Sequence, residues 1–290
     1  MASLSSARVR DPNAHPGSTG LVYGLLLAVT ALIVAPLLWA IASSFTPNDQ
    51  IYNDVFPFSL RAFFPQDFTW SAYQTLFFEK GFGTALLNTA ILTVGTVLIG
   101  GLINLLAGFA FAVFDFRGKN LLFGLVLFTF MVPIEVTIIP QYIQMKELGW
   151  INTWQGLLVP GLANSMVIFL FRQFFAELPR DLLDAARVDG ASWVRILFAL
   201  VIPISYPVLI GAGLVLFISA WNSFFWPLVV APKPELRVIQ VAISLSAQQV
   251  QTLLNEMFAG SLIAAIVPIL VMLPLQRYYV NSIASTGIKE

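Results

Sequence analysis

The chain has 290 residues, of which 58% are hydrophobic and 10% charged, with zero formal net charge and a mean hydropathy of +0.83. A soluble domain carries about 25% charged residues, so lipid has to be the main solvent of this chain, and zero net charge argues against a nucleic-acid partner. No cysteine is present and the single histidine, His15, lies in a polar N-terminal stretch, which excludes disulfides and thiolate metal sites and argues against a histidine-based triad.

In chain order, a polar tail over residues 1–18 precedes six apolar stretches, each long enough for the roughly 20 residues that a spanning helix needs. They predict spans at about 21–45, 84–114, 121–145, 155–175, 207–231 and 257–280, with a loop at 176–206 between the fourth and fifth. The first has a basic flank (Arg8, Arg10) and an "AIA" at 40–42 like a signal-peptide cleavage site, but its apolar region exceeds a signal peptide's core, so it reads as an uncleaved anchor. The segment from 46 to 80, with "DVFPFSLRAFFPQDFTW", reads as an aromatic cap lying on one membrane interface. If the N-terminus is cytoplasmic, ten basic residues fall inside (Arg8, Arg10, Arg117, Lys119, Arg172, Arg180, Arg187, Arg195, Arg277, Lys289) and five outside (Arg61, Lys80, Lys146, Lys233, Arg237). That bias puts both termini, and the loop 176–206, in the cytoplasm.

Glu135, in "MVPIEVTIIP", is the one charge inside the third span. Its insertion cost of about 2.5–3.5 kcal/mol predicts that it faces protein or water, with Pro133 and Pro140 loosening the helix around it. Two roles stay open: a pathway residue meeting substrate hydroxyls, and a structural carboxyl satisfied within the fold.

Between Glu177 and Arg195 seven charges fall in nineteen positions, between long apolar runs. "ELPRDLLDAARVDGASW" predicts two helices and a turn: Pro179 in the first turn of one, Gly190 left-handed at its end, Ser192 capping the next, which runs until Pro203. Leu182, Ala185 and Ala186 share one small apolar side, rimmed by Asp181, Asp184, Arg187 and Asp189. A bare topogenic loop needs neither a helix–turn–helix nor four acids among its arginines; a docking surface for a soluble partner would explain both.

Further on, "WNSFFWPLVV" (221–230) closes the fifth span. Trp226 reads as an interfacial anchor and Asn222 as an interhelical hydrogen-bonding residue, while Trp221, Asn222 and Phe224 are also candidates for lining a pathway.

"DAARVDGA" followed by Pro203 resembles the EAA loop in the membrane subunits of bacterial ATP-binding-cassette importers, with Asp184 in place of the usual Glu and Ala185, Ala186 and Gly190 matching. "FLFRQFFAELPRDLLDAARVDGAS", "INTWQGLLVPGL" and "WNSFFWPLVV", in that order over about residues 20–290, resemble the carbohydrate-type, maltose-permease-like six-span subunit. The resemblance implies an all-α, multi-pass protein of the bacterial cytoplasmic (inner) membrane, with residues 19–290 as the transmembrane domain. Its partners would be a homologous second permease, two nucleotide-binding ATPase subunits, an extracytoplasmic solute-binding protein and a sugar-like solute. Asp184, Ala185, Ala186, Arg187, Asp189, Gly190 and Ala191 would form the coupling contact with the ATPase. The chain has no G-x-x-x-x-G-K-[ST] loop, in keeping with ATP and Mg being held by the partner ATPase and no cofactor by this chain. The C-terminal "QRYYVNSIASTGIKE" resembles the family's ATPase-reaching tail, with a divergent ending. Two alternatives are a glycerol-phosphate importer permease and, in another class, an ion-coupled secondary transporter using Glu135. A membrane enzyme is least favoured, because no cluster of His, Cys or paired carboxylates falls at one depth.

Overall fold

The computed structural model describes residues 16–55, 59–247 and 253–286, without the side chains of 16–19, 54–55, 247 and 276–286. Residues 1–15 with His15, all side chains of the C-terminal tail 276–290, and Lys289 therefore lie outside the described residues.

Every described element is helical. Helix α1 (Pro16–Ser44) is an apolar rod whose hydrophobic window is only 6% buried. It leans on the last helix, where Trp39 meets Phe258 edge to face at 5.0 Å. The segment expected as a cap folds into short turns, α2 (Asn48–Val55) and α3 (Ser71–Gln74) among them. Phe45 at the end of α1 gathers Phe68, Trp70 and Tyr73 at 4.8–5.1 Å.

The second span is continuous from Phe82 to Val113, as α4 (Phe82–Gly95), a π-helical turn and α5 (Gly101–Val113). The next three expected spans are broken. Helices α6 (Lys119–Met131) and α7 (Ile134–Glu147) meet at 105°. Helix α8 (Trp154–Leu158), running on to Gly161, meets α9 (Ser165–Ala176) at 42°. After α10 (Arg180–Val188), α11 (Trp193–Ile196) continues through a π turn and α12 (Ile202–Ile204), and this unit meets α13 (Tyr206–Trp221) at 87°. The short α14 (Phe225–Val230) and α15 (Ile239–Ala247) lead to α16 (Leu254–Thr286). Among the described residues three helices are thus long and apolar enough to cross a membrane unaided, and up to six spans result if each bent pair counts as one.

Two boundaries differ from the sequence reading. The fifth span ends at Trp221 rather than at 231, because the chain leaves helical geometry at Asn222–Phe224 before α14 begins. The helix expected to run until Pro203 runs on to Ile204 and breaks at Ser205, and Pro207 sits in the first turn of α13, where a missing N–H costs nothing.

The main core joins α5, α9, α10, α11 and α13 around Phe109, Phe171, Phe175, Leu183, Ile196 and Leu216. The crossing of α5 and α9 is so close that a Cβ on Gly108 would lie 2.4 Å from Phe171 Cβ, so only glycine fits. A second cluster around Leu157, Trp226 and Val230, and a third around Leu76, Phe82 and Ile239, fill the end remote from residues 177–195. There Lys80 forms an ion pair with the buried Glu256.

Candidate functional site

The loop between α9 and α11 folds as its local chemistry dictates. Pro179 stands one position earlier than expected, as an extended residue just before α10. Asp181 lies in the first turn and Arg187 in the last, each on the side of the helix dipole that favours its charge. Gly190 takes φ +81°, and the N–H of Ala191 reaches Ala186 O at 3.0 Å while that of Gly190 reaches Arg187 O at 3.0 Å. This is the paired closure of a Schellman end. Nothing lies within 4 Å of where a Cβ on Gly190 would be, so backbone geometry rather than space selects glycine. Ser192 then caps α11, its hydroxyl accepting from Arg195 N at 3.3 Å.

The helix faces are not the ones that spacing alone implied. Leu183 is the buried anchor at 6% exposure, and Ala186 packs beside it on the main core. Leu182 and Ala185 point away from it. A nine-residue helix with apolar residues all along it has two candidate inward faces, and the cavity between Phe175 and Ile196 selects the one that Leu183 fills. What stays exposed is Asp181, Asp184, Ala185, Asp189 and two valines, Val188 at 87% and Val194 at 67%.

Arg187, expected on the rim, braces the turn. Its Nη1 donates to Ala191 O at 2.7 Å, and its guanidinium lies 5.1 Å above the Trp193 ring. Trp193 meets Phe114 at 5.0 Å and Phe109 at 6.5 Å, and Phe109 meets Phe175 at 5.9 Å. A continuous aromatic series therefore runs from the loop into α5 and α9.

The residues proposed for a pathway are not brought together. Glu135 is not in the middle of one continuous span: two extended residues, Val132 and Pro133, break the chain, and Glu135 falls in the first turn of α7 beyond them. It is exposed, and among the described residues no hydrogen bond or ion pair holds it, so the satisfied-carboxyl reading finds no partner within this chain. Trp221 is 2% exposed, stacks on Phe217 and donates its indole N–H to Ala264 O at 2.9 Å, which makes it a packing residue between α13 and α16. Asn222 does bridge helices, accepting from Gln240 Nε2 at 3.2 Å. Phe224 is half-buried, edge-on to Phe225. Trp226 is no interfacial anchor: it is 7% exposed and donates to Gly156 O at 2.9 Å, because α8 folds over it.

One keystone went unread. Asn104, fully buried on α5, donates to Leu162 O at 2.9 Å and accepts from Asn164 N at 2.8 Å, satisfying the two backbone groups exposed by the break between α8 and α9. Its signal was in the sequence as Gly100, Asn104 and Gly108, small or polar residues on one face at four-residue spacing in an apolar helix.

A model of the family described as binding-protein-dependent transport system inner membrane component matches residues 104–284. An arabinooligosaccharides transport system permease protein, AraQ, of Halalkalibacterium halodurans is 28% identical over 262 residues, covering 90% of this chain and 93% of its own. The AraQ protein of Bacillus subtilis is 32% identical over 203 residues, 70% of this chain and 72% of its own. An sn-glycerol-3-phosphate transport system permease protein, UgpE, of Pectobacterium atrosepticum is 32% identical over 207 residues, 71% of this chain and 74% of its own. In fold, the chain is similar to one in the crystal structure of a bacterial ABC transporter involved in the import of the acidic polysaccharide alginate, with a TM-score of 0.72 and 24% identity over 96% of this chain and 100% of that one.

Proposed function

Since the chain belongs to the family of binding-protein-dependent transport system inner membrane components, and is a transport permease of the inner membrane rather than an enzyme, we propose that it is one of two permease subunits of an ATP-driven sugar importer. In this reading residues 19–290 are the transmembrane domain, 1–18 a cytoplasmic tail, and both termini and the loop 176–206 are cytoplasmic. A homologous permease completes the pathway, an extracytoplasmic binding protein delivers solute, and two ATPase subunits hold and hydrolyse ATP with Mg.

The observation that carries the reading is the two-faced loop. Leu183, Ala186 and the Arg187–Trp193 pair fasten it to this chain's core, while Asp184, Ala185, Val188 and Asp189 are left uncovered. A carboxylate beside exposed small apolar side chains suits a cleft that offers a cation and an apolar floor. Gly190 and Ala191 shape the turn rather than contact a partner. Glu135 is the pathway residue this reading retains, since it is a polar acceptor on a surface that this chain leaves open.

The relatives divide between an oligosaccharide and a glycerol-phosphate ester at equal identity. A carboxyl side chain at 135 favours the sugar, since it can accept from hydroxyls and offers a phosphate no cation. Proteoliposomes holding this chain, the second permease, the ATPase and the binding protein should take up an oligosaccharide when ATP is supplied. Those holding this chain alone should take up nothing. ATP-independent uptake by the chain alone would replace this reading with an ion-coupled transporter, and ATP-driven uptake of sn-glycerol 3-phosphate but not sugar would replace the solute.

A further inference from the structure

At the loop end of the fold two cavities meet. One, of about 270 Å³, lies beneath α10 between the ends of α5 and α9 and is lined by Lys119, Arg172 and Arg180 against a single acid, Asp184. The other, of about 380 Å³, opens at the start of α6 and shares Lys119 and Arg172. Lys119 already holds Asp115 at 3.2 Å. Arg172 is less satisfied. Its guanidinium is held over the Phe123 ring at 4.8 Å and Nη1 donates to Gln173 Oε1 at 2.6 Å, yet Nε is buried with no acceptor. Among the described residues no carboxylate pairs with Arg172, which lines both cavities, so its charge is left for an anionic ligand.

What lies directly above the cations limits what that ligand can be. Helix α6 has no buried residue, and it exposes Leu121 at 70%, Leu125 at 52% and Phe128 at 63%. An apolar helix face ending in a lysine and an arginine complements a molecule that is long and apolar with an anion at its end.

We infer that Lys119 and Arg172 bind the phosphodiester of an anionic phospholipid whose acyl chains lie along the exposed face of α6. The guanidinium presents a planar pair of donors matched to two phosphate oxygens, and Lys119 adds a point charge beside it. Asp184 and Asp115 set an upper limit on the charge the site accepts, which suits a single phosphodiester better than a multiply charged phosphate. The inference rests on the chain's place in a membrane and not on the ATPase or the solute.

The full chain, purified in mild detergent with equal amounts of phosphatidylglycerol and phosphatidylcholine, should retain phosphatidylglycerol preferentially by native mass spectrometry. Lys119→Gln and Arg172→Gln should each reduce that preference roughly fivefold, the attraction of one surface cation for anionic headgroups. Lys119→Arg should keep it, as should Arg61→Gln at the opposite end of the bundle. If Arg172→Gln does not fold, Lys119→Gln on a half-buried side chain still decides the matter. The inference is overturned if Lys119→Gln keeps the full preference, if Arg61→Gln loses as much, or if inorganic phosphate displaces the lipid, which would make this a free-anion site. Because the readout needs neither ATPase nor solute, its failure leaves the importer reading standing.

Discussion

Two of the broken spans are treated in opposite ways. Where α8 meets α9 at 42°, the backbone groups set free by the break are answered from within, by a buried Asn104 and a glycine-lined crossing. Where α6 meets α7 at 105°, the one side-chain hydrogen bond to another helix among the described residues is Thr129 to Ser165 at 3.0 Å, and Met131, Ile134 and Val136 stay exposed at 77%, 55% and 67%. A sharp bend in apolar surroundings needs its freed backbone groups answered by something. The first break is complete within one chain. The second is left open on its α7 side, where Glu135 stands exposed.

The contrast can be broken at Asn104. Asn104→Leu removes both partners of the α8–α9 break and leaves a buried carbonyl and N–H unanswered, each costing about 1–3 kcal/mol. The variant should melt well below the wild type and lose monodispersity in detergent. A wild-type melting temperature would mean that the break is held by helix packing alone.

At the other break the expected effect on stability is far smaller. Glu135→Gln should shift stability by no more than about 0.5 kcal/mol, as for a surface substitution without partners, yet change transport KM or rate several-fold in the assembled system. Unchanged transport with unchanged stability would remove Glu135 from the pathway.

What could be read from the sequence follows the range of the forces involved. The turn at 189–192 was legible because a left-handed glycine and a serine cap act within a few residues. The break near Pro133 was legible as a weakness in the third span, but its 105° angle was not, since a missing N–H permits a bend and only the neighbouring helices set it. The choice of Leu183 over Leu182 as anchor depends on Phe175 and Ile196 from neighbouring helices, and the burial of Trp221 and Trp226 on residues 43 and 70 positions away in the chain, at Ala264 and Gly156. Asn104 was legible in principle, because small residues spaced by four in an apolar helix mark a close crossing. Arg187 was misread because charge on a loop suggests an outward partner, whereas a tryptophan six residues on supplied an inward one.

The central claim is that the outer face of α10 receives the ATPase. It is tested most directly by ATP hydrolysis in the reconstituted assembly, measured with and without loaded binding protein, for two changes in the loop. Asp184→Lys reverses the charge of an exposed side chain that also borders the cavity lined by Arg172 and Arg180, and Gly190→Val imposes about 1–2 kcal/mol of left-handed strain on the turn. Both variants should insert normally and lose the stimulation by binding protein, and an acidic substitution on the facing surface of the ATPase should partly restore it for Asp184→Lys. Wild-type stimulation in both variants would contradict the claim and leave residues 177–195 as a connecting loop.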